Sequence, residues 1–376
     1  MCSELELLRK RSLQSSLPYD GDFFIDDNIL ALFGPGAKII SASHCGKSAW
    51  TVTARLVLAF SDGSRGQYFV KSAPGNHGRS MMEGECSAMS ELRKSAPDFA
   101  PAPLGWDKYK LEEPEAYFFV AEYVDMQDGM PHPDKLCSRL ARLHRESQSP
   151  TGQFGFGISK CQGRVLQCVE WETNWTTFFV KLLRNVIVQD FEVNGSWEDL
   201  DIVERRFIER VVLRLLDALV ENGRVLKPSL IHADLWEGNC GTSRDNGNIY
   251  IFDAACFYGH HEMDVADWRC NYNKISDPIY TNTYNRYQEP SEPKDEWEDR
   301  NRLYSVYYNL LYSVNHANAG TAVRQQAYAD MYHLVDKYAP FPGNEGPPRI
   351  AADQMAVLPV EKDHAMSTVP DILGTP

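Results

Sequence analysis

The sequence lacks an apolar run of the roughly 20 residues needed to span a bilayer, so no transmembrane helix is expected. Its first residues carry charge with no apolar core behind it, so no secretory signal is expected either. Positive charge is scarce: 38 Lys and Arg stand against 52 Asp and Glu, a formal net charge of −14. Nucleic acid and anionic membranes both need a positive footprint, and this balance disfavours them as partners. The nine cysteines include no CxxC pair and no His/Cys grouping of zinc-finger spacing. Odd in number and dispersed, they read as the reduced thiols of a cytoplasmic protein. Asn174-Trp175-Thr176 and Asn194-Gly195-Ser196 have the form of glycosylation acceptors but, without a signal, read as chance matches. No internal repeat is visible. What is present is 376 residues with 43% hydrophobic content, enough to bury a large core in two lobes.

Hydrophobic periodicity divides the chain into an α+β arrangement. Residues 1–20 carry no apolar periodicity and read as a loose lead-in. Residues 21–125 read as a smaller lobe built on a sheet. Asp26-Asp27-Asn28 offers caps for a short helix ending at Phe33-Gly34. Lys38–Ile40, Trp50–Leu58 and Tyr68–Val70 alternate or are β-branched and read as strands, and Ala116–Tyr123 as another. Residues 126–340 read as a helix-rich lobe, with helices expected from Leu136, over 201–222, from Tyr304 to Val314 and from Ala327 to Tyr338. Residues 341–376 contain six prolines and little periodicity, and read as a tail.

The densest chemistry lies in His232-Ala233-Asp234-Leu235-Trp236-Glu237-Gly238-Asn239, with Asp253 fourteen residues after Asn239. Asp234 can accept the proton of a substrate hydroxyl. Asn239, five residues on, can offer its side-chain oxygen to a metal ion. Asp253 follows the apolar run Ile249–Phe252, which reads as a strand, and a carboxylate there can hold Mg²⁺ against nucleotide phosphates. A protein-kinase catalytic loop uses this order of Asp, Asn and metal-binding Asp. Upstream, Gln67–Lys71 reads as a strand ending in Lys71, a cation suited to the α/β-phosphates of ATP. Glu83 and Glu85, on a helix expected from Met82 to about Lys94, are both candidates to fix that lysine.

With these landmarks in order, the chain resembles the fructosamine/ketosamine-3-kinases, a small-molecule branch of the protein-kinase-like fold. The resemblance rests on Val70-Lys71, Glu83-Gly84-Glu85, Trp171 with Trp175–Phe179, the loop His232–Asn239, and Asp253 followed by Phe257-Tyr258-Gly259-His260. It covers roughly residues 20–340. Two departures are Ala233, where family members carry Gly, and Ala254, where they carry Pro; both are small and lack titratable groups. The resemblance implies a small antiparallel sheet lobe and a larger, mostly helical lobe with ATP between them. Adenine would lie against Glu122-Tyr123-Val124, and Lys71, held by Glu85, would contact the phosphates. Asn239 and Asp253 would hold Mg²⁺. Asp234 would deprotonate the 3-hydroxyl of a free or protein-bound ketosamine, a deglycation repair step. Aminoglycoside or choline kinases share the Asp/Asn/Asp loop and are the alternative enzymes. A nucleotide-binding pseudokinase is the alternative outside catalysis. The sugar and the oligomeric state stay open.

Several features invite blander readings. Ser43-His44-Cys45-Gly46-Lys47-Ser48 ends like a P-loop, but Ser41 stands where that motif needs Gly and the segment lies between strands. Gly46 fits instead a turn whose backbone approaches phosphate. His260-His261-Glu262 with Asp264 could pass for metal ligands, but adjacent histidines on a regular element point apart, so a structural role is expected. Asp264 is expected to brace the catalytic loop by accepting its backbone N–H groups. Trp171, Trp175, Phe178 and Phe179 are expected on one buried helix face. Trp236 could contact a sugar acceptor or pack within the lobe.

Overall fold

A computed structural model describes residues 2–13, 17–46, 48–110, 113–316, 320–343 and 346–349. The expected tail lies mostly outside the described residues. These residues form two compact units. One comprises the chain up to Gln127 together with Ser243–Phe252, and the other comprises Asp128–Thr242 and the described residues from Asp253 onward.

The first unit is built on a six-stranded sheet. Its strands are β1 (Asp20–Gly21), β2 (Lys38–His44), β3 (Val52–Ala59), β4 (Arg65–Pro74), β5 (Pro103–Lys108) and β6 (Ala116–Glu122), in the order β1-β2-β3-β4-β6-β5. Neighbours are antiparallel except the two-residue edge strand β1, which runs parallel to β2, so the sheet is not purely antiparallel as expected. Alternation along β3 sends Ala54, Leu56 and Leu58 into a core shared with Val70, Phe118 and Val120. Helix α1 (Cys2–Ser12) contributes Leu5 and Leu8 to the same core. The lead-in expected to be loose is therefore partly helical. Two leucines three residues apart anchor it, a stripe too short to stand out as periodicity. Helix α2 (Asp27–Ala31) is capped by the Asp26 side chain, which accepts from the Asn28 amide at 2.8 Å.

Helix α3 (Gly75–Ser95) begins seven residues before the expected start. Its buried stripe, Gly78, Met81, Met82, Glu85, Ala88, Met89 and Leu92, follows the helical repeat. Gly78 is required because a Cβ there would collide with the Ala73 carbonyl. The segment Ser243–Phe252, expected in the helical lobe, joins the first unit through backbone bonds. Arg244 N donates to Asp125 O and Ile251 N to Phe99 O, each at 2.8 Å.

The second unit is mostly helical. Helix α4 (Pro133–Glu146) buries Leu136, Leu140, Leu143 and His144. Helix α5 (Trp175–Asn194) starts where Asn174 caps the Thr177 amide at 2.8 Å and ends at Gly195, whose φ is +78°. Trp171 lies before this cap, so it does not share the helix face of Trp175, Phe178 and Phe179; its ring sits 6.2 Å from that of Tyr258. The helix expected over 201–222 starts at Glu198 and passes through a π-type turn at Phe207–Val212. It breaks at Asn222, whose φ is +57°. Helices Trp297–Asn315 and Gly320–Tyr338 follow. A short antiparallel pair, Ser229–Ile231 with Phe257–Gly259, carries the loop after Ile231 and the segment before Phe257 side by side. No helix among the described residues is long and apolar enough to cross a membrane.

Candidate active site

In the first unit, Lys71 is the seventh residue of the ten-residue strand β4, not its last. Strands on both sides of β4 hold it in place, with Thr53 of β3 and Phe119 of β6 as register partners. Its Nζ lies 2.8 Å from the Glu85 carboxylate, and the two side chains are only 7% and 9% exposed. Glu85 falls in the buried stripe of α3, whereas Glu83, two residues earlier, faces the other way, 3.9 Å from Arg79. A buried lysine held against a carboxylate presents a defined positive charge.

Gly46 lies in the turn between β2 and β3 with φ +69°. The Thr53 hydroxyl donates to the Cys45 carbonyl in this turn, and Cys45 N donates to Thr53 O at 3.1 Å. Lys47, next along, lies outside the described residues. Beyond β6, the Glu122 and Tyr123 amides donate to Ala102 O at 2.8 Å and Gln67 O at 3.2 Å. The Glu122 carboxylate accepts from the Ala102 amide at 3.1 Å. The Arg55 guanidinium lies over the Tyr123 ring at 4.8 Å.

In the second unit, the loop His232–Asn239 hangs from one carboxylate. Asp264 accepts from His232 N at 3.0 Å and Ala233 N at 2.8 Å. Burial opposes the charge of Asp264, but the His144 hydrogen bond and the loop amides outweigh it and hold the carboxyl below its ordinary range. Ala233 has φ +62°, the left-handed region. Trp268 Nε1 donates to Leu235 O at 2.7 Å, and the Glu237 carboxylate accepts from Lys274 N at 2.8 Å.

This frame fixes both oxygens of Asp234. Gln162 Nε2 donates to Oδ1 at 3.1 Å and Asn239 Nδ2 to Oδ2 at 3.0 Å. Asn239 Nδ2 also lies 2.8 Å from Asp234 O and 3.5 Å from Asp253 O. With its nitrogen turned to Asp234, Asn239 has its carbonyl oxygen left for another partner. Asp253 follows the strand Ile249–Ile251 and has φ +56°. Carboxylate and amide oxygens are the donors a hard cation such as Mg²⁺ takes. Trp236 is half-buried and its indole covers Gly238, where a Cβ would collide with the ring.

Gln162 has no signal in the sequence. It sits on the two-residue strand Cys161–Gln162, and its bond to Asp234 spans 72 residues. His260, His261 and Glu262 do bring ligand atoms within 4.8 Å of one another, against the expectation that adjacent histidines diverge. They converge because His260 is in extended backbone just before the short helix His261–Asp264, so the two histidines do not lie on one regular element. Their atoms are engaged, however: Glu262 pairs with Arg300 at 2.7 and 2.9 Å, and both imidazoles hydrogen-bond hydroxyls.

The family description for fructosamine kinase matches residues 49–337. A chloroplastic protein-ribulosamine 3-kinase of Oryza sativa subsp. indica is 26% identical over 283 residues, covering 73% of this chain and 72% of its own. The ketosamine-3-kinase of Mus musculus is 26% identical over 287 residues, covering 69% of this chain and 85% of its own. The crystal structure of a candidate fructosamine-3-kinase from Thermobifida fusca superposes with a TM-score of 0.64 at 19% identity, over 83% of this chain and 98% of that one. The chain belongs to the fructosamine kinase family, has the protein-kinase-like α+β fold, and is an ATP-dependent kinase.

Proposed function

We propose that this enzyme transfers the γ-phosphoryl group of ATP to the 3-hydroxyl of a ketosamine, a sugar joined to an amine, as a deglycation step. The family match supports the substrate class, since relatives are described as ribulosamine and ketosamine kinases. The observation that carries the chemistry is the Asp234 carboxylate, held by Gln162 and Asn239 on a loop anchored to Asp264.

The roles follow from the donor and acceptor inventory. Asp234 is acceptor-only, and it orients the sugar hydroxyl and takes its proton as the new P–O bond forms and ADP leaves. Lys71, fixed by Glu85, neutralises charge on the α/β-phosphates. The Gly46 turn lets backbone approach the phosphates. Adenine is read by backbone at Glu122–Val124, where the first two amides are already spent within the protein and the Val124 N–H is the remaining donor. Asn239 Oδ1 and the Asp253 carboxylate fit Mg²⁺, which supplies charge neutralisation on the phosphates when bound. Because the transition state is loose, positioning of these groups outweighs proton abstraction. Trp236, two residues from Asp234 in the same loop, flanks the sugar in this reading. A cytoplasmic site of action belongs to the same proposal.

An ATPase-coupled screen with fructosamines, ribulosamines and erythrulosamines, free and on protein, alongside aminoglycosides and choline, tests the reading. Turnover on a ketosamine, with ³¹P NMR placing the phosphate on O3, is expected. Turnover confined to aminoglycosides or choline would overturn it.

A further inference from the structure

Asp264, which anchors the Asp234 loop, is also one end of a longer hydrogen-bonded chain within the second unit. Its Oδ2 lies 3.0 Å from Nε2 of His144 on α4. The other nitrogen of that ring, Nδ1, is 2.7 Å from the Tyr284 hydroxyl. The same hydroxyl is 3.1 Å from His261 Nδ1. His261 Nε2 lies 3.3 Å from Ser291 Oγ, which is 2.9 Å from His260 Nε2. His260 Nδ1 is 2.8 Å from the Tyr304 hydroxyl, which accepts from Trp175 Nε1 at 2.8 Å. Apart from the half-buried Ser291, every member is buried.

The two ends fix every proton between them. An indole N–H can only donate, and an ionised carboxylate can only accept. Tyr304 accepts from Trp175, so its own hydrogen goes to His260 Nδ1. His260 then carries its proton on Nε2 and donates to Ser291. Ser291 donates to His261 Nε2, which leaves the His261 proton on Nδ1, pointing at Tyr284. Tyr284 donates to His144 Nδ1, and His144 donates from Nε2 to Asp264. In this assignment every donor meets an acceptor.

We propose that these side chains form a one-way relay of fixed tautomers, His260 Nε2–H, His261 Nδ1–H and His144 Nε2–H, that positions Asp264 and, through it, the loop carrying Asp234. Protonating a ring would set two donors where the chain needs one donor and one acceptor. Burial, reinforced by Arg300 and the neighbouring histidines, pushes His260 and His261 well below their ordinary range, which keeps both rings neutral. The relay also assigns the His260–His261–Glu262 cluster a role other than metal binding: both nitrogens of each ring are spent. His144 and Tyr284 are positioning residues, acting on the reaction only through Asp264. That kinetic part rests on Asp234 being the base, whereas the tautomer pattern does not.

The full-length protein labelled with ¹⁵N in its histidine rings decides the matter. Long-range ¹⁵N–¹H correlations at pH 7, assigned by loss of signal in single His→Gln variants, are expected to show neutral His261 as Nδ1–H, the tautomer free imidazole disfavours. His144 and His260 are expected as Nε2–H. An Nε2–H or doubly protonated His261 overturns the relay. Tyr284→Phe is expected to release His261 to its Nε2–H form and to lower kcat about tenfold, the scale of a small misplacement of a reacting group, with KM for ATP unchanged. Unchanged kcat in that variant overturns the positioning role. An enzyme inert toward every ketosamine would sink the substrate reading, and the wild-type tautomers would still decide the relay.

Discussion

Gln162 Nε2 touches the His232–Asn239 loop twice, 2.6 Å from the Ala233 carbonyl and 3.1 Å from Asp234 Oδ1. The Tyr307 hydroxyl donates to its Oε1 at 3.2 Å, which sets the amide so that nitrogen faces the loop. One buried amide thus orients both the backbone before Asp234 and the carboxylate itself.

Gln162→Leu removes that support while keeping bulk. With Asp234 as the proposed base, the loss of one positioning hydrogen bond on its carboxylate is expected to lower kcat about tenfold with KM for ATP unchanged. Steady-state kinetics against both substrates checks it. A variant with wild-type kcat would mean that Asn239 alone holds Asp234.

The pairing of Lys71 with Glu85 makes a second contrast. Glu85→Gln leaves a buried ammonium without its counter-charge and is expected to lower kcat/KM for ATP tenfold or more. Glu83→Gln, whose partner Arg79 is exposed, is expected to stay near wild type. Measured side by side, a silent Glu85→Gln with a damaged Glu83→Gln would reverse the assignment.

Much of this was legible before the structure. Alternation in β3, the helical stripe of α3 and the Asp–Asn–Asp order are local patterns, and local patterns survive in a sequence. The choice between Glu83 and Glu85, open from the residues alone, is made in the structure, where Glu85 shares the buried face of Met81, Met82, Ala88 and Met89 and Glu83 does not. What escaped were partnerships over long separations. Gln162 reaches Asp234 across 72 residues and His144 reaches Asp264 across 120, from elements whose own sequences carry no motif. Spacing alone puts Trp171 on the face of Trp175, whereas the helix starts only after Asn174. Helix α1 rests on two leucines, too few to register as a period.

Ala233 occupies a left-handed backbone position that costs a residue with a Cβ about 1–2 kcal/mol. Ala233→Gly removes that strain but also a buried methyl worth about 0.8 kcal/mol, so a net stabilisation of up to about 1 kcal/mol is expected. Urea unfolding measures it. Destabilisation by more than about 1 kcal/mol would show that packing of the methyl outweighs the backbone strain.

Asp264 gives a pH signature. Its folded carboxyl is held below the ordinary value by His144 and the loop amides despite burial. A depressed folded value favours folding above the unfolded value and loses that contribution as pH falls through the folded one. Asp264→Asn is therefore expected to destabilise the protein by about 3 kcal/mol at pH 7, and the gap should narrow below about pH 4. Denaturant unfolding across that range tests it, and a gap independent of pH would mean the carboxylate charge is not what holds the loop.

Whether Asp234 is the base for phosphoryl transfer to a sugar hydroxyl is decided by kcat of Asp234→Asn on a ketosamine. As the base it would act on the acceptor and not on the nucleotide, so ATP binding measured by calorimetry is expected to stay within a few-fold. Loss of a general base lowers rates by about 10²–10⁴, and kcat is expected to fall in that range. A variant that keeps more than about half of the wild-type kcat, a change far below that range, would contradict the assignment.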